Sequence, residues 1–371
     1  NIGLMKLPES LRDYVILHEL AHLNHMDHSR RDFFKKGAVL ATAACVAGLP
    51  SPLAASPAVP KRRSKAKRLV MLALDGISVD GFVKAKTPNL DALLAEGVLS
   101  LDTRVVMPSV TLPNWTSHLT GSGPEQHGVT DNSWEVDKVK LPAIKSDAEG
   151  YYPSVFQVLK QAIPEAKTAF YYNWINLFYP YNKQYLDEVS YLENDAYVPN
   201  YEKAYAFMKA NKKQPTVVFL YTVHTDHAGH RHKWMSPEYI QSIEEADVEI
   251  GRLIDKMKAD GLYDDTHFMF LSDHGGIEYG HGGVTTDEMI VPWGIWGPGI
   301  RKGLRMQEPN NTVNTAAVIL SLFGVEKPLE WTPEEARPIR TSPSASFLPS
   351  MIFSSSTIPT EKPARSYSST G

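Results

Sequence analysis

Three short apolar runs in this chain each lead into an aspartate. Leu69-Val-Met-Leu-Ala-Leu74 ends in Asp75-Gly76, Thr216 to Tyr221 leads to Asp226, and Thr266 to Leu271 ends in Ser272-Asp273-His274. Runs this short and this apolar read as buried parallel strands, because a half-exposed strand would alternate. Helical patterns lie between them. Thr87-Pro88 opens one that Gly97 closes, Ser236-Pro237 opens a long amphipathic one closed by Gly261, and Asn311 to Phe323 is stopped by Gly324. Strand and helix in alternation predict an α/β fold with a mostly parallel central sheet. Such sheets bind their ligands outside the carboxyl ends of the strands.

The residues expected at those ends carry metal chemistry. Four strand ends would deliver Asp75, Asp226 with His230, Asp273 with His274, and His281. Three aspartates and three histidines, with one hydroxyl, fit two zinc ions, since zinc takes carboxylate and imidazole in sites of about four ligands. Each pair alone is an ordinary turn or core feature; their joint occurrence after apolar strands is the signal. The hydroxyl is Thr111, within Pro108-Ser-Val-Thr-Leu-Pro-Asn114. A strand predicted over Leu99 to Val106 leads to it, and Pro113 and Asn114 open the helix behind it. There it would meet free backbone N–H groups and the positive end of the helix dipole, which suits phosphate or sulfate.

From Leu69 to Phe323 these motifs resemble the alkaline phosphatase superfamily, and in the nucleophile motif the type I phosphodiesterases and nucleotide pyrophosphatases. The resemblance implies a three-layer sandwich around the sheet. It implies Thr111 as nucleophile, forming a phospho-threonine, and Asp75, Asp273 and His274 as ligands of the zinc that activates it. Asp226, His230 and His281 would hold the second zinc. Asn114 would bind a non-bridging phosphoryl oxygen together with the Thr111 N–H. The implied substrate is a small phosphodiester or nucleotide. Two positions depart from the nucleotide pyrophosphatases: Leu112 stands where an aromatic follows the nucleophile, and His281 lies close behind the Ser-Asp-His-Gly motif. The second is closer to phosphoethanolamine transferases, so a transferase or a phosphomonoesterase of the same superfamily is the alternative reading. A non-catalytic binding protein of this fold would not need the full ligand set.

The flanks read differently. His18-Glu19-Leu-Ala-His22 in residues 1–25 puts two imidazoles one helical turn apart and resembles a zincin-type metalloprotease, but so short a piece cannot build a cleft. It reads as a remnant, with a zinc protease as the alternative of another class. Residues 26–55 carry Arg30-Arg31 ahead of an apolar stretch, the pattern of a twin-arginine signal, which predicts a periplasmic or secreted protein. Residues 56–68 read as a basic linker, 69–340 as the catalytic domain, and 341–371 as a tail without fixed structure. A net charge of -4 gives no case for nucleic-acid binding, one cysteine allows no internal disulfide, and no apolar run suffices for a membrane span. His127 reads as a structural hydrogen-bonder. The aromatic series Tyr171, Tyr172, Trp174, Phe178, Tyr179, Tyr181 and Tyr185 is either core or a wall for the substrate's organic group.

Overall fold

The computed structural model describes residues 66–332. The His18 motif, the Arg30-Arg31 segment and the Ser/Pro-rich tail lie outside the described residues. The strands are β1 (Arg68–Leu74), β2 (Gly97–Arg104), β3 (Lys167–Tyr172), β4 (Glu188–Tyr191), β5 (Thr216–Thr222), β6 (Thr266–Leu271), β7 (Ile290–Trp296), β8 (Leu304–Arg305) and β9 (Asn310–Asn311). Together they form a nine-stranded sheet in the order β4-β3-β5-β1-β6-β7-β2-β8, with β9 beside β2. β1 is parallel to β5 and β6, and β3 to β4 and β5. Among the described strands only β7 runs against its neighbours, β6 and β2.

Side chains alternate across a strand. β1 therefore sends Leu69, Met71 and Ala73 to one face and Val70, Leu72 and Leu74 to the other, all fully buried. The first face is covered by helices Thr111–Thr120, Val155–Ala162 and Asn314–Phe323 through Leu112, Trp115, Phe156, Leu159 and Ile319. The second is covered by helices Val79–Lys84, Pro88–Ala95, Val198–Ala210 and Pro237–Ala259 through Phe82, Leu90, Phe207 and Ile250. Each such side chain contributes roughly 1.5–3 kcal/mol relative to exposure. The result is the three-layer α/β/α sandwich.

Several boundaries differ from the sequence reading. The basic linker does not reach Arg68, which opens β1 and is fully buried. Its guanidinium donates to Thr266 Oγ1 at 3.1 Å and Lys212 O at 3.0 Å, and pairs with Asp265. Thr87 does not cap its helix; its hydroxyl donates to Asp91. The cap comes from Asp247 on the Pro237–Ala259 helix, which accepts from Asn89 N at 3.1 Å and Leu90 N at 2.7 Å. That explains Thr87-Pro-Asn-Leu90 as a helix-docking motif. Gly97 does not close that helix but begins β2, where a Cβ would come within 2.3 Å of Ile295 O.

Candidate active site

Parallel pairing sets the geometry. Leu74 is in register with Thr222, and Ala73 with Leu271, so β1, β5 and β6 end side by side. Asp75 follows β1 directly and Asp273 follows β6. Gly76 turns the chain with φ +71, a conformation that suits glycine, and a Cβ there would meet Asp226 at 3.0 Å. Asp226 and His230 are not at a strand end. They sit one turn apart on the His224–His232 helix behind β5, where i and i+4 share a face. His281 also comes from elsewhere, a loop between β6 and β7. That loop is tied to the Thr111 segment by Ser109 Oγ donating to Gly283 O at 2.7 Å. Glu288 holds it from behind, accepting from Gly283 N at 2.7 Å and Thr285 Oγ1 at 2.7 Å. All six sequence-predicted ligands and Thr111 meet at this edge.

Their hydrogen bonds show what the cluster lacks. Nδ1 of His274, His281 and His230 each lies 2.8–3.0 Å from a backbone carbonyl, of Gly275, Ser109 and Tyr279 respectively. A carbonyl only accepts, so each Nδ1 carries the proton and each Nε2 offers a lone pair. Those lone pairs point at carboxylate oxygens. His274 Nε2 is 3.4 Å from Asp75 Oδ1 and 3.3 Å from Asp273 Oδ2. His281 Nε2 is 3.7 Å from Asp226 Oδ1, and His230 Nε2 is 3.5 Å from Asp226 Oδ2. Asp75 Oδ1, Asp226 Oδ1 and Asp273 Oδ2 are buried without a hydrogen-bond partner. Lone pairs facing buried carboxylate oxygens are met by a proton or a cation between them, and imidazole with carboxylate is a zinc-type donor set.

Asp75, Asp273 and His274 bring their ligand atoms within 4.8 Å of one another, as do Asp226, His274 and His281. His274 belongs to both groups, and its ring stacks on His281 with centroids 3.7 Å apart. His230 is the most open of the six, its side chain 40% exposed. Burial pushes the Asp75 and Asp273 carboxyls well up, and burial with the nearby Asp195 charge pushes Asp226 up to about 7. Burial pushes His274 well down and His281 down to about 4. Burial thus disfavours charge on these groups, which a bound cation would reverse. Tyr221 and Trp115 donate to Asp75 Oδ2, which fixes Oδ1 toward the cluster.

Thr111 is the first residue of its helix rather than a residue before it. Its Oγ1 lies 3.2 Å from His274 Nε2, and its own N–H has no partner among the described residues. Asn114 does not face this site. Its Oδ1 accepts from Val106 N at 2.8 Å, and its Nδ2 is surrounded by the carbonyls of Val106, Pro108 and Val110 at 3.0–3.3 Å. The amide is consumed in fixing the loop that presents Thr111. The geometry offers Asn132 in its place. Asn132 Oδ1 accepts from Leu112 N at 2.8 Å, which sets its unpartnered Nδ2 beside the helix start.

A family model described as type I phosphodiesterase / nucleotide pyrophosphatase matches residues 69–315. The chain belongs to this family. A second model, a YgjP-like metallopeptidase domain, matches residues 1–36. An uncharacterized pyrophosphatase/phosphodiesterase of Schizosaccharomyces pombe is 25% identical over 56% of this chain and 44% of its own length. Venom phosphodiesterase 2 of Crotalus adamanteus is 26% identical over 56% of this chain and 26% of its own length. The chain thus spans less than half the length of either relative. Murine ectonucleotide pyrophosphatase / phosphodiesterase 5 shares the fold with a TM-score of 0.59 at 16% identity, over 71% of this chain and 96% of that one.

The rest of this phosphodiesterase-family domain sorts the aromatic series. Tyr171, Tyr172, Phe178 and Tyr181 are core, with Phe178 stacked on Tyr172 at 5.3 Å. Tyr185 packs against that core, Tyr179 faces solvent and Trp174 lines a cleft. His127 is structural: its Nδ1 accepts from Val129 N at 3.0 Å and its Nε2 bonds Ser117 Oγ at 3.0 Å. Among the described residues no helix is long and apolar enough to cross a membrane.

Proposed function

We propose that this chain hydrolyses small phosphodiesters or nucleotides with two zinc ions and a phospho-threonine intermediate. Asp75, Asp273 and His274, with Thr111 Oγ1, would hold one ion, and Asp226, His230 and His281 the other. When bound, these ions supply the positive charge that lowers the pKa of a coordinated hydroxyl and meets charge on a leaving oxygen. The helix N-terminus directs Thr111 Oγ1 at phosphorus. As the Oγ1–P bond forms, the bond from phosphorus to the leaving oxygen breaks and the first alcohol departs. Thr111 N–H and Asn132 Nδ2 are the chain's own donors for a non-bridging oxygen, where negative charge develops. Water then cleaves the phospho-threonine, freeing the monoester and restoring the hydroxyl.

The observation that carries this reading is a hydroxyl at a helix start, 3.2 Å from His274 Nε2, facing buried carboxylate oxygens that have no partner. The test is enzyme quenched in acid during turnover of bis-nitrophenyl phosphate. A nitrophenylphosphoryl group on the Thr111 peptide is expected, together with loss of several orders of magnitude in turnover for Thr111→Ala and partial activity for Thr111→Ser. Full activity in Thr111→Ala would mean that water attacks phosphorus directly.

A further inference from the structure

A cleft of about 480 Å³ opens beside this cluster, and the reaction above leaves its lining unused. Its walls include Asn173, Trp174, Tyr191, Asp195, His227 and Arg231. The His224–His232 helix connects it to the cluster: Asp226 and His230 face the ligand set, while His227 and Arg231, one position further round, face the cleft. Asn176, next in sequence to the lining residue Ile175, donates from Nδ2 to Asn132 O at 3.0 Å.

Two features mark the cleft as built for a ligand. Asn173 is 4% exposed; its Oδ1 accepts from Val223 N at 3.0 Å, but its Nδ2 is buried with no partner. A buried unpaired donor is costly unless something else accepts from it. Asn194 and Asp195 both hold left-handed backbone, with φ 57 and φ 58, which non-glycine residues adopt at a cost. Asp195 is fastened there by His227 Nδ1 and Arg231 Nη2, which both donate to its carboxylate.

The lining also narrows the ligand. Both Asp195 oxygens are engaged, so no bare carboxylate awaits a cationic headgroup deep in the cleft. His227 and Arg231 are committed to Asp195, and Glu193 adds a negative charge at the rim, which disfavours a second phosphate. Leu112 is fully buried, so it offers no face opposite Trp174 for a planar base. What remains is an unpaired amide donor, a charged network with spare hydrogen-bonding edges and a half-buried indole. Vicinal hydroxyls suit that mixture, since each can accept from one group and donate to another while the C–H face rests on the indole.

We propose that the cleft holds an uncharged, hydroxyl-rich substituent of the phosphodiester, such as a glycerol or sugar moiety. The proposal rests on the phosphodiesterase reading of the neighbouring site. Calorimetric titration of the full chain with zinc present tests it, using glycerol 1-phosphate, glucose 1-phosphate, ethyl phosphate and phenyl phosphate. The two polyol monoesters are expected to bind about tenfold more tightly than the other two, the range of one or two added hydrogen bonds. Asn173→Asp keeps the acceptor for Val223 N but replaces the donor, and Arg231→Gln removes a largely exposed cation. Both should abolish the polyol advantage. No advantage in the wild type, a preference for phenyl phosphate, or an advantage intact in both variants would overturn the proposal. Hydrolysis of bis-nitrophenyl phosphate by the same preparation tests the phosphodiesterase reading separately, since either result can fail while the other holds.

Discussion

Two asparagines near Thr111 divide the work that the motif alone suggested for one. Asn114 meets only backbone of the preceding loop, while Asn132 presents a free amide at the start of the Thr111 helix. Asn132→Asp keeps the acceptor for Leu112 N and removes the amide donor, so it should lower kcat by at least about 10²–10³, the usual effect of removing one oxyanion donor, with little change in denaturant midpoint. Asn114→Ala should do the reverse in kind. It leaves Val106 N unsatisfied, costs roughly 1–3 kcal/mol in urea titration and lowers activity only as the loop loosens. Equal kcat losses with unchanged stability for both would contradict this division. Five of the six ligands were legible in sequence because each follows an apolar strand or repeats at a helical spacing; His281, in the loop between β6 and β7, was legible through the His281-Gly282 motif. Asn132 was not, because it reaches the site across 20 residues from Leu112, within an Asp-Asn-Ser turn that local pattern reads as loop.

At the scale of elements, the strands beneath the site were the most legible part. β1, β5 and β6 are buried on both faces, and an unbroken apolar run leaves little else for them to form. Ser236 capping the Pro237–Ala259 helix was also legible, since its hydroxyl accepts from Tyr239 N three residues on, at 3.1 Å. Contacts made at long sequence distance were not: Thr87 has the form of a cap, but the cap is Asp247, 158 residues from the Asn89 N–H it accepts from. Asp247→Ala should remove that cap and leave two N–H groups unmet, costing about 1–2 kcal/mol measured as a shift in chemical denaturation. Thr87→Val should cost less. A larger loss for Thr87→Val would return the capping role to the threonine.

For the whole molecule, cation binding and stability should be linked through pH. Asp226 rises from an ordinary 3.8 to about 7, so its stabilising contribution is present below about 4 and is lost as pH rises through about 7. His281, depressed to about 4, stabilises above its ordinary 6.5 and loses that contribution as pH falls through about 4. Zinc must displace protons from such ligands, so the rise in melting temperature on adding zinc to chelator-treated protein should grow from pH 5 to pH 8. A pH-independent rise would mean that the ion binds elsewhere. Replacing Arg30-Arg31 with lysines should leave the protein in the cytoplasm, as read by fractionation, if export follows the twin-arginine route proposed for residues 26–55. Undiminished periplasmic recovery would refute that route. The central position of β1 bears on synthesis as well. It is the first of the described strands to leave the ribosome, yet its partners are β5 and β6, and Arg68 meets Thr266 across 198 residues. At roughly 5–20 residues per second that is a wait of about 10–40 seconds. Until β5 follows, an apolar run behind Arg68 has both edges unpaired, and until β6 follows one edge still stands open to chaperones, or to the same segment on a neighbouring nascent chain.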